Sequence, residues 1–382
     1  MKRLYALVLF IFFSIASHAQ EYNPFHQTLV DQVNKNNIVQ NLQSFVDFGV
    51  KEMGTTAQQN ALNWMEGLYQ SWGYTSIEKQ QVNAYGIIGY NLIVTKIGTV
   101  YPDKFIVIDA HYDTINGVGA NDNGSGTVII LELAKILKNI PTEYSIKFIH
   151  FTAEEWGLIG SYQYVDNIVI PQNLDIKLVL NIDQVGGVNG EVNDTITCER
   201  DESSPNHNNS DSNQATQQLA TCMSLYSNLD THISNAYGSD YVPFQEEGFV
   251  ITGLYEYNES PYPHTSGDTM AHMDTEYLFQ VAKGTMGALS YFAKAYQTMS
   301  VSDLDSQKLK VAPNPADQFL FIQEMDSNQL TSIQLLDLNG RVIYKDQKSL
   351  HSDLKINTST IPNGTYILKV GEFSQKIVVQ HK

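Results

Sequence analysis

The chain has 382 residues, enough for one large and one small hydrophobic core, and carries 41 acidic against 23 basic residues for a formal net charge of −18. Residues 21–308 alone hold 34 acidic and 13 basic residues, a balance that argues against nucleic acid or anionic lipid as a partner and is otherwise the charge of a solvated surface. Cys198 and Cys222 allow at most one internal disulfide, and neither belongs to a Cys-x-x-Cys or Cys/His cluster that would hold a metal.

In chain order, Lys2 and Arg3, the apolar run Leu4–Phe13 and the small-residue end Ser17-His18-Ala19 read as a secretory signal over residues 1–19, too short in its apolar part to span a bilayer. The mature protein is therefore expected to be soluble and exported. From Asn34 to Trp72 the apolar spacing is helical. Short apolar runs then alternate with helices. Asn91–Ile97, Phe105–Ala110, Tyr144–Phe151 and Ile176–Ile182 are expected strands, and Gly126–Leu137, Gly157–Val165 and Ala215–Tyr226 expected helices. This alternation predicts an α/β fold: a mixed, largely parallel sheet with helices on both faces and ligands beyond the strand carboxyl ends.

The Asn-, Ser-, Asp- and Gly-rich stretch Asn189–Asn213 reads as one long polar loop. After a helix over Thr275–Gln297, a linker at 301–309 separates the domain at 20–300 from a small β-sandwich at 310–382. That sandwich is expected to contain the strands Phe319–Gln323, Ser332–Asp337, Val342–Tyr344, Gly364–Val370 and Gln375–Val379.

Chemistry collects where the strands end. Glu154 and Glu155 follow the run Tyr144–Phe151, at the cost of desolvation and like-charge repulsion, so a positive group is expected beside them. His111 and Asp113 end the strand Phe105–Ala110, with Asp113 able to orient the His111 imidazole. Asp122 lies in the turn Gly119-Ala-Asn-Asp-Asn-Gly-Ser-Gly126, where an ordinary helix N-cap is the competing reading. A phosphate loop is disfavoured there, because the Walker lysine is missing and the acid would repel phosphate. Asp183 ends the run Ile176–Ile182, and His264 lies in Pro261-Tyr-Pro-His-Thr-Ser-Gly-Asp-Thr269. Each residue alone has a structural explanation. Two imidazoles and four carboxylates converging on one sheet edge suit two divalent ions.

The motifs His-Tyr-Asp-Thr, Gly-Ala-Asn-Asp-Asn-Gly-Ser-Gly, Phe-Thr-Ala-Glu-Glu-Trp-Gly-Leu-Ile-Gly-Ser, Asn-Ile-Asp-Gln-Val-Gly and Pro-His-Thr-Ser-Gly-Asp-Thr, in that order over roughly residues 35–297, resemble those of co-catalytic zinc aminopeptidases of the bacterial leucyl aminopeptidase type. The resemblance implies two Zn2+ per chain, one held by His111 and Asp183 and the other by Glu155 and His264, with Asp122 bridging them before a cis peptide to Asn123. It also implies Glu154 as general base and acid, Asp113 and Asp268 as supporting carboxylates, and peptides with a free N-terminus as substrates. Tyr237 is the candidate oxyanion donor, although it is offset by one position from the family pattern and Tyr241 stands where relatives carry a histidine. Glu199, Arg200, Asp201, Glu256 and Glu259 flank the motifs as candidates for recognising the substrate's amine or side chain.

The segment from about Lys310, with Val-Ala-Pro-Asn-Pro-Ala and Ile-Pro-Asn-Gly-Thr-Tyr-Ile-Leu-Lys-Val, resembles the C-terminal sorting domain of Bacteroidetes type IX secretion. It implies outer-membrane secretion machinery as a partner and a secreted or cell-surface location. Glutaminyl cyclisation by a single zinc on the same fold and a non-catalytic surface receptor are the alternatives. A metal count and an N-terminal glutamine peptide would separate the first; failure to bind zinc would favour the second.

Overall fold

The computed structural model describes residues 21–236, 238–297, 310–322, 330–338, 340–349, 354–371 and 373–381; the expected leader, the 301–309 linker and Tyr237 lie outside them. The chain divides into two compact units, Met1–Gln297 and Thr298–Lys382.

In the first unit, helices α1 (Pro24–Val30), α2 (Lys35–Asp47) and α3 (Thr56–Ser71) precede the sheet, each opened by a side-chain cap from Asn23, Asn34 or Thr55. They are followed by β1 (Ile77–Ala84), β2 (Ile87–Lys96), β3 (Tyr101–His111), α4 (Gly124–Leu137), β4 (Tyr144–Phe151) and α5 (Ile159–Tyr164). A π-helical turn at Val165–Val169 continues α5. Next come β5 (Asp175–Ile182), β6 (Thr195–Arg200), α6 (Asn209–Tyr226), β7 (Asp230–Asn235), α7 (Val242–Glu246), β8 (Ile251–Glu256) and α8 (Thr275–Phe292).

The eight strands form one sheet in the order β1-β2-β4-β3-β5-β8-β6-β7. Its centre, β4-β3-β5-β8, is parallel, whereas β1, β2 and β6 run antiparallel to neighbours. Side chains alternate between faces along each strand. Ile106, Ile108, Ala110, Phe148, Leu180 and Leu254 face one helical layer, and Val107, Ile149, Phe151, Val179 and Ile251 face the other. Full burial of each such aliphatic side chain stabilises the fold by about 1.5–3 kcal/mol. The mixed α/β fold expected from the alternation is therefore present, with its parallel carboxyl ends at one edge.

The expectation of an unbroken loop from Asn189 to Asn213 is corrected: β6 crosses it and α6 begins within it. Thr-Ile-Thr-Cys-Glu-Arg lacks an apolar run, but its Ile196 and Cys198 point into the core while Thr195, Thr197 and Glu199 occupy the opposite face. Cys198 and Cys222 are both buried thiols.

In the second unit, β9 (Val311–Ala312), β10 (Phe319–Ile322), β11 (Leu330–Leu336), β12 (Val342–Ser349), β13 (Leu354–Asn357), β14 (Gly364–Val370) and β15 (Phe373–Val379) make two antiparallel sheets, β13-β10-β9 and β12-β11-β14-β15. Leu320, Ile322 and Ile356 of one sheet share a core with Ile333, Leu335, Leu368 and Ile377 of the other.

Candidate active site

His111 is the last residue of β3. Its Nδ1 lies 3.1 Å from the backbone carbonyl of Asp113, which accepts the ring proton and leaves the Nε2 lone pair facing the sheet edge. The Asp113 carboxylate, expected to orient this ring, is farther from Nδ1 at 3.8 Å. Its two oxygens instead accept from the backbone N–H groups of Glu154 and Glu155, at 3.2 and 3.3 Å. One buried acid thus fixes the turn that presents both glutamates.

The glycine-rich turn resolves the competition between cap and ligand. Asn123 caps α4, accepting from Gly126 N–H at 2.9 Å, and its amide donates to the Ile182 carbonyl at 2.8 Å. A β-carbon at Gly126 would come within 2.4 Å of that carbonyl, so glycine permits the close approach of α4 to β5. Asp122 is thereby freed from capping. The Asp122–Asn123 peptide is cis, and Asp268 accepts from the backbone N–H groups of Asn121 and Asp122 at 2.8 and 2.9 Å.

Asp183 follows β5, its N–H bonded to Leu254 and its Oδ2 accepting from Ser239 Oγ at 2.7 Å. Ala153, Gln184 and His264, each adjacent to or part of the constellation, all have positive φ (+56°, +51° and +57°). Such strain concentrates at functional sites.

These side chains form two groups that share Asp122. His111 Nε2 lies 3.2 Å from Asp122 Oδ1, 3.4 Å from Asp183 Oδ1 and 3.8 Å from Glu154 Oε2. His264 Nε2 lies 3.1 Å from Asp122 Oδ2 and 2.7 Å from Glu155 Oε2. Asp122 Oδ2 and Asp183 Oδ1 are nevertheless buried without an acceptable hydrogen bond. Convergent imidazole and carboxylate lone pairs, aimed at one another rather than at donors, fit divalent cations. Ligand atoms of His111, Glu154 and Asp183, and of His111, Asp122 and Glu155, lie within 4.8 Å of one another.

Electrostatics reflects the crowding. Burial, then the charge of Asp122, pushes Glu155 up to about 9; burial, then Asp183 and Asp240, holds Glu154 well above the usual carboxylate range despite His111. Burial would raise Asp122 as well, but the adjacent imidazoles of His111 and His264 outweigh it and hold Asp122 at about 2.

Of the flanking candidates, Glu256 proves to be a clamp: it accepts from Asn121 Nδ2, Gly187 N–H and Ser260 N–H at 3.0, 2.8 and 2.7 Å. Arg200 turns to Asn213 and Asn235, and Asp201 to Ser203 and Asn208. Glu199 is buried and accepts from Tyr241 Oη at 3.0 Å, while Glu259 is exposed. Sequence reasoning missed Asp240, a fully buried acid that burial holds well above the usual carboxylate range, and Ser239 beside it. The Ser239-Asp240 pair, two residues after Tyr237, is the signal that could have found them.

Residues 91–289 match the family model described as Peptidase family M28, and residues 310–381 the one described as Secretion system C-terminal sorting domain. Aminopeptidase YwaD of Bacillus subtilis is 34% identical over 186 residues, which cover 47% of this chain and 39% of that protein. The chain spans less than half the length of the curated relatives it matches. Among solved structures, the LapA aminopeptidase of Legionella pneumophila aligns with a TM-score of 0.64 at 22% identity, covering 78% of this chain and 81% of that one. A glutaminyl cyclase of Bacteroides thetaiotaomicron aligns with 0.56 at 19%, covering 67% and 97%. At these identities the two structures establish the common fold.

Proposed function

The chain belongs to peptidase family M28, and from that premise we propose that it is a secreted zinc aminopeptidase that removes N-terminal residues from peptides. The secretion part has its own basis: residues 310–381 are a type IX secretion sorting domain, indicating a secreted or cell-surface protein. Among the described residues no helix is long and apolar enough to cross a membrane.

The observation that carries the reading is the division of Asp122 between two imidazoles, Oδ1 beside His111 and Oδ2 beside His264, each of which also faces a second carboxylate, Asp183 or Glu155. In this reading His111 and Asp183 hold one zinc, Glu155 and His264 the other, and Asp122 bridges. When bound, the ions would supply Lewis-acid polarisation of the scissile carbonyl and a water acidified for attack.

Glu154 is the proton carrier. Its side chain is 15% exposed against 2% for Glu155, and it stands farther from an imidazole nitrogen, 3.8 against 2.7 Å. It is therefore open to substrate while Glu155 is committed to His264. Burial raises its proton affinity, so Glu154 can take a proton from the attacking water and return it to the leaving nitrogen. Asp113 keeps the carrier in place through the backbone. The second ligand group distinguishes this reading from single-zinc glutaminyl cyclisation.

The test is a Glu154→Gln protein assayed on unblocked aminoacyl and dipeptide substrates, with zinc measured by elemental analysis. Turnover should fall about 10²–10⁴-fold with two zinc ions retained. Full turnover in that variant would remove the proton-transfer assignment, and wild-type activity on N-terminally blocked peptides only would remove the aminopeptidase reading.

A further inference from the structure

A cavity of about 210 Å3 opens over β6, β7 and β8, lined by Thr197, Glu199, His232, Tyr255, Tyr257 and Glu259 among others. That is room for one long side chain. Strand register places it relative to the site. Asp109 pairs with Asn181, Asn181 with Gly253, Gly253 with Glu199, and Glu199 with Ser234. Paired residues share a face, and residues two apart along a strand return to it. His111 and Asp183 therefore occupy the same face as Tyr255, Thr197, Glu199 and His232, and β8 is the immediate neighbour of β5. The cavity thus opens on the face that carries Asp183, over the strand next to β5.

The lining is specific in character. Glu199, 4% exposed, lines the cavity, and Tyr241 donates to its Oε2 at 3.0 Å. Its seat depends on Gly253, where a β-carbon would come within 2.8 Å of Glu199 Oε2. Glu259 adds an exposed carboxylate at the rim. Tyr255 and Tyr257 supply aromatic surface, and Tyr257 packs edge-on against His232 at 5.3 Å. Among the described residues that line the cavity there is no lysine or arginine. Burial, with a smaller contribution from Asp183, holds the Glu199 carboxyl up at about 8, the mark of an acid lacking a counter-charge.

We propose that this cavity receives the side chain of the substrate's N-terminal residue and that the class it takes is cationic, lysine or arginine. The inference rests on the aminopeptidase reading above. The alkyl stem would lie on the tyrosine faces and the charged head would meet Glu199, with Glu259 beside the entrance. An apolar side chain would instead leave Glu199 desolvated and unpaired.

The experiment uses the zinc-loaded full chain and aminoacyl p-nitroanilides of Arg, Lys, Leu, Phe and Glu. For Arg and Lys, kcat/KM should exceed that for Leu by roughly tenfold or more, the scale of a hydrogen bond to a charged group. Glu199→Gln should remove most of that preference, lowering kcat/KM for Arg and Lys and raising it for Leu, and Glu259→Gln should remove a smaller part by lowering the Arg and Lys values. Because Glu259 is exposed, its variant keeps the test valid should Glu199→Gln fail to fold. Preference for Leu, unchanged by Glu259→Gln, would overturn the cationic pocket while leaving the aminopeptidase reading intact. If no substrate is hydrolysed, the aminopeptidase reading fails, and calorimetry of L-arginine against the uncharged isostere L-citrulline decides the pocket: tighter arginine binding supports it and equal binding overturns it.

Discussion

The two halves of the central sheet present opposite chemistry at their edges. On the β4-β3-β5 side, apolar strands buried on both faces lead into His111, Glu154, Glu155 and Asp183, the candidate site residues. On the β8-β6-β7 side, the strands are short, and β6 and β7 carry polar residues whose positions leave a cavity. The first half demands geometry that tolerates little change; the second needs only a wall of suitable charge. On the proposed reading, reaction chemistry and substrate choice would occupy adjacent strands with different mutational tolerance.

The sharpest way to break this division is Asp122→Ala. Loss of the shared carboxylate should reduce the zinc count below two and bring hydrolysis to background for every substrate, as elemental analysis and a rate assay would show. An active two-zinc variant would sink the bridge. A smaller effect, about 10–100-fold in metal affinity, is expected for Asp268→Asn, which retains every ligand but weakens the acceptor of the Asn121 and Asp122 N–H groups. Competition with a zinc-chelating dye measures it.

The mildest test falls on the other half. Gly253→Ala should displace Glu199 and lower the Arg-over-Leu ratio about severalfold while the zinc count stays at two. Loss of zinc there would mean that the two halves are not separable.

The difference between the halves also explains what could be read from the chain alone. Long apolar runs followed by His111, the Glu154-Glu155 pair and Asp183 declare both the strands and the candidate site residues, because burial on two faces requires unbroken hydrophobicity. β6 and β7 have a polar face and blend into their loops, so the cavity they build was not visible. Asp113 was recognised as a supporting residue, but its use of both carboxylate oxygens on the Glu154 and Glu155 backbone depends on a fold-determined meeting of β3 and β4. Asn123 rather than Asp122 takes the cap because its amide can also reach Ile182, a contact 59 residues away in sequence.

The segment carrying His264 also carries Asp268, four positions later. One residue faces Glu155 and Asp122 from a half-exposed position; the other is buried and ties down the backbone of Asp122. That short stretch is consequently a latch with two bolts. Pulling it open would withdraw a ligand from one group and loosen the carboxylate common to both, so the centre is expected to dismantle as a unit. Ions that bind only the latched form would in turn keep it shut, making occupancy and local order two aspects of the same equilibrium.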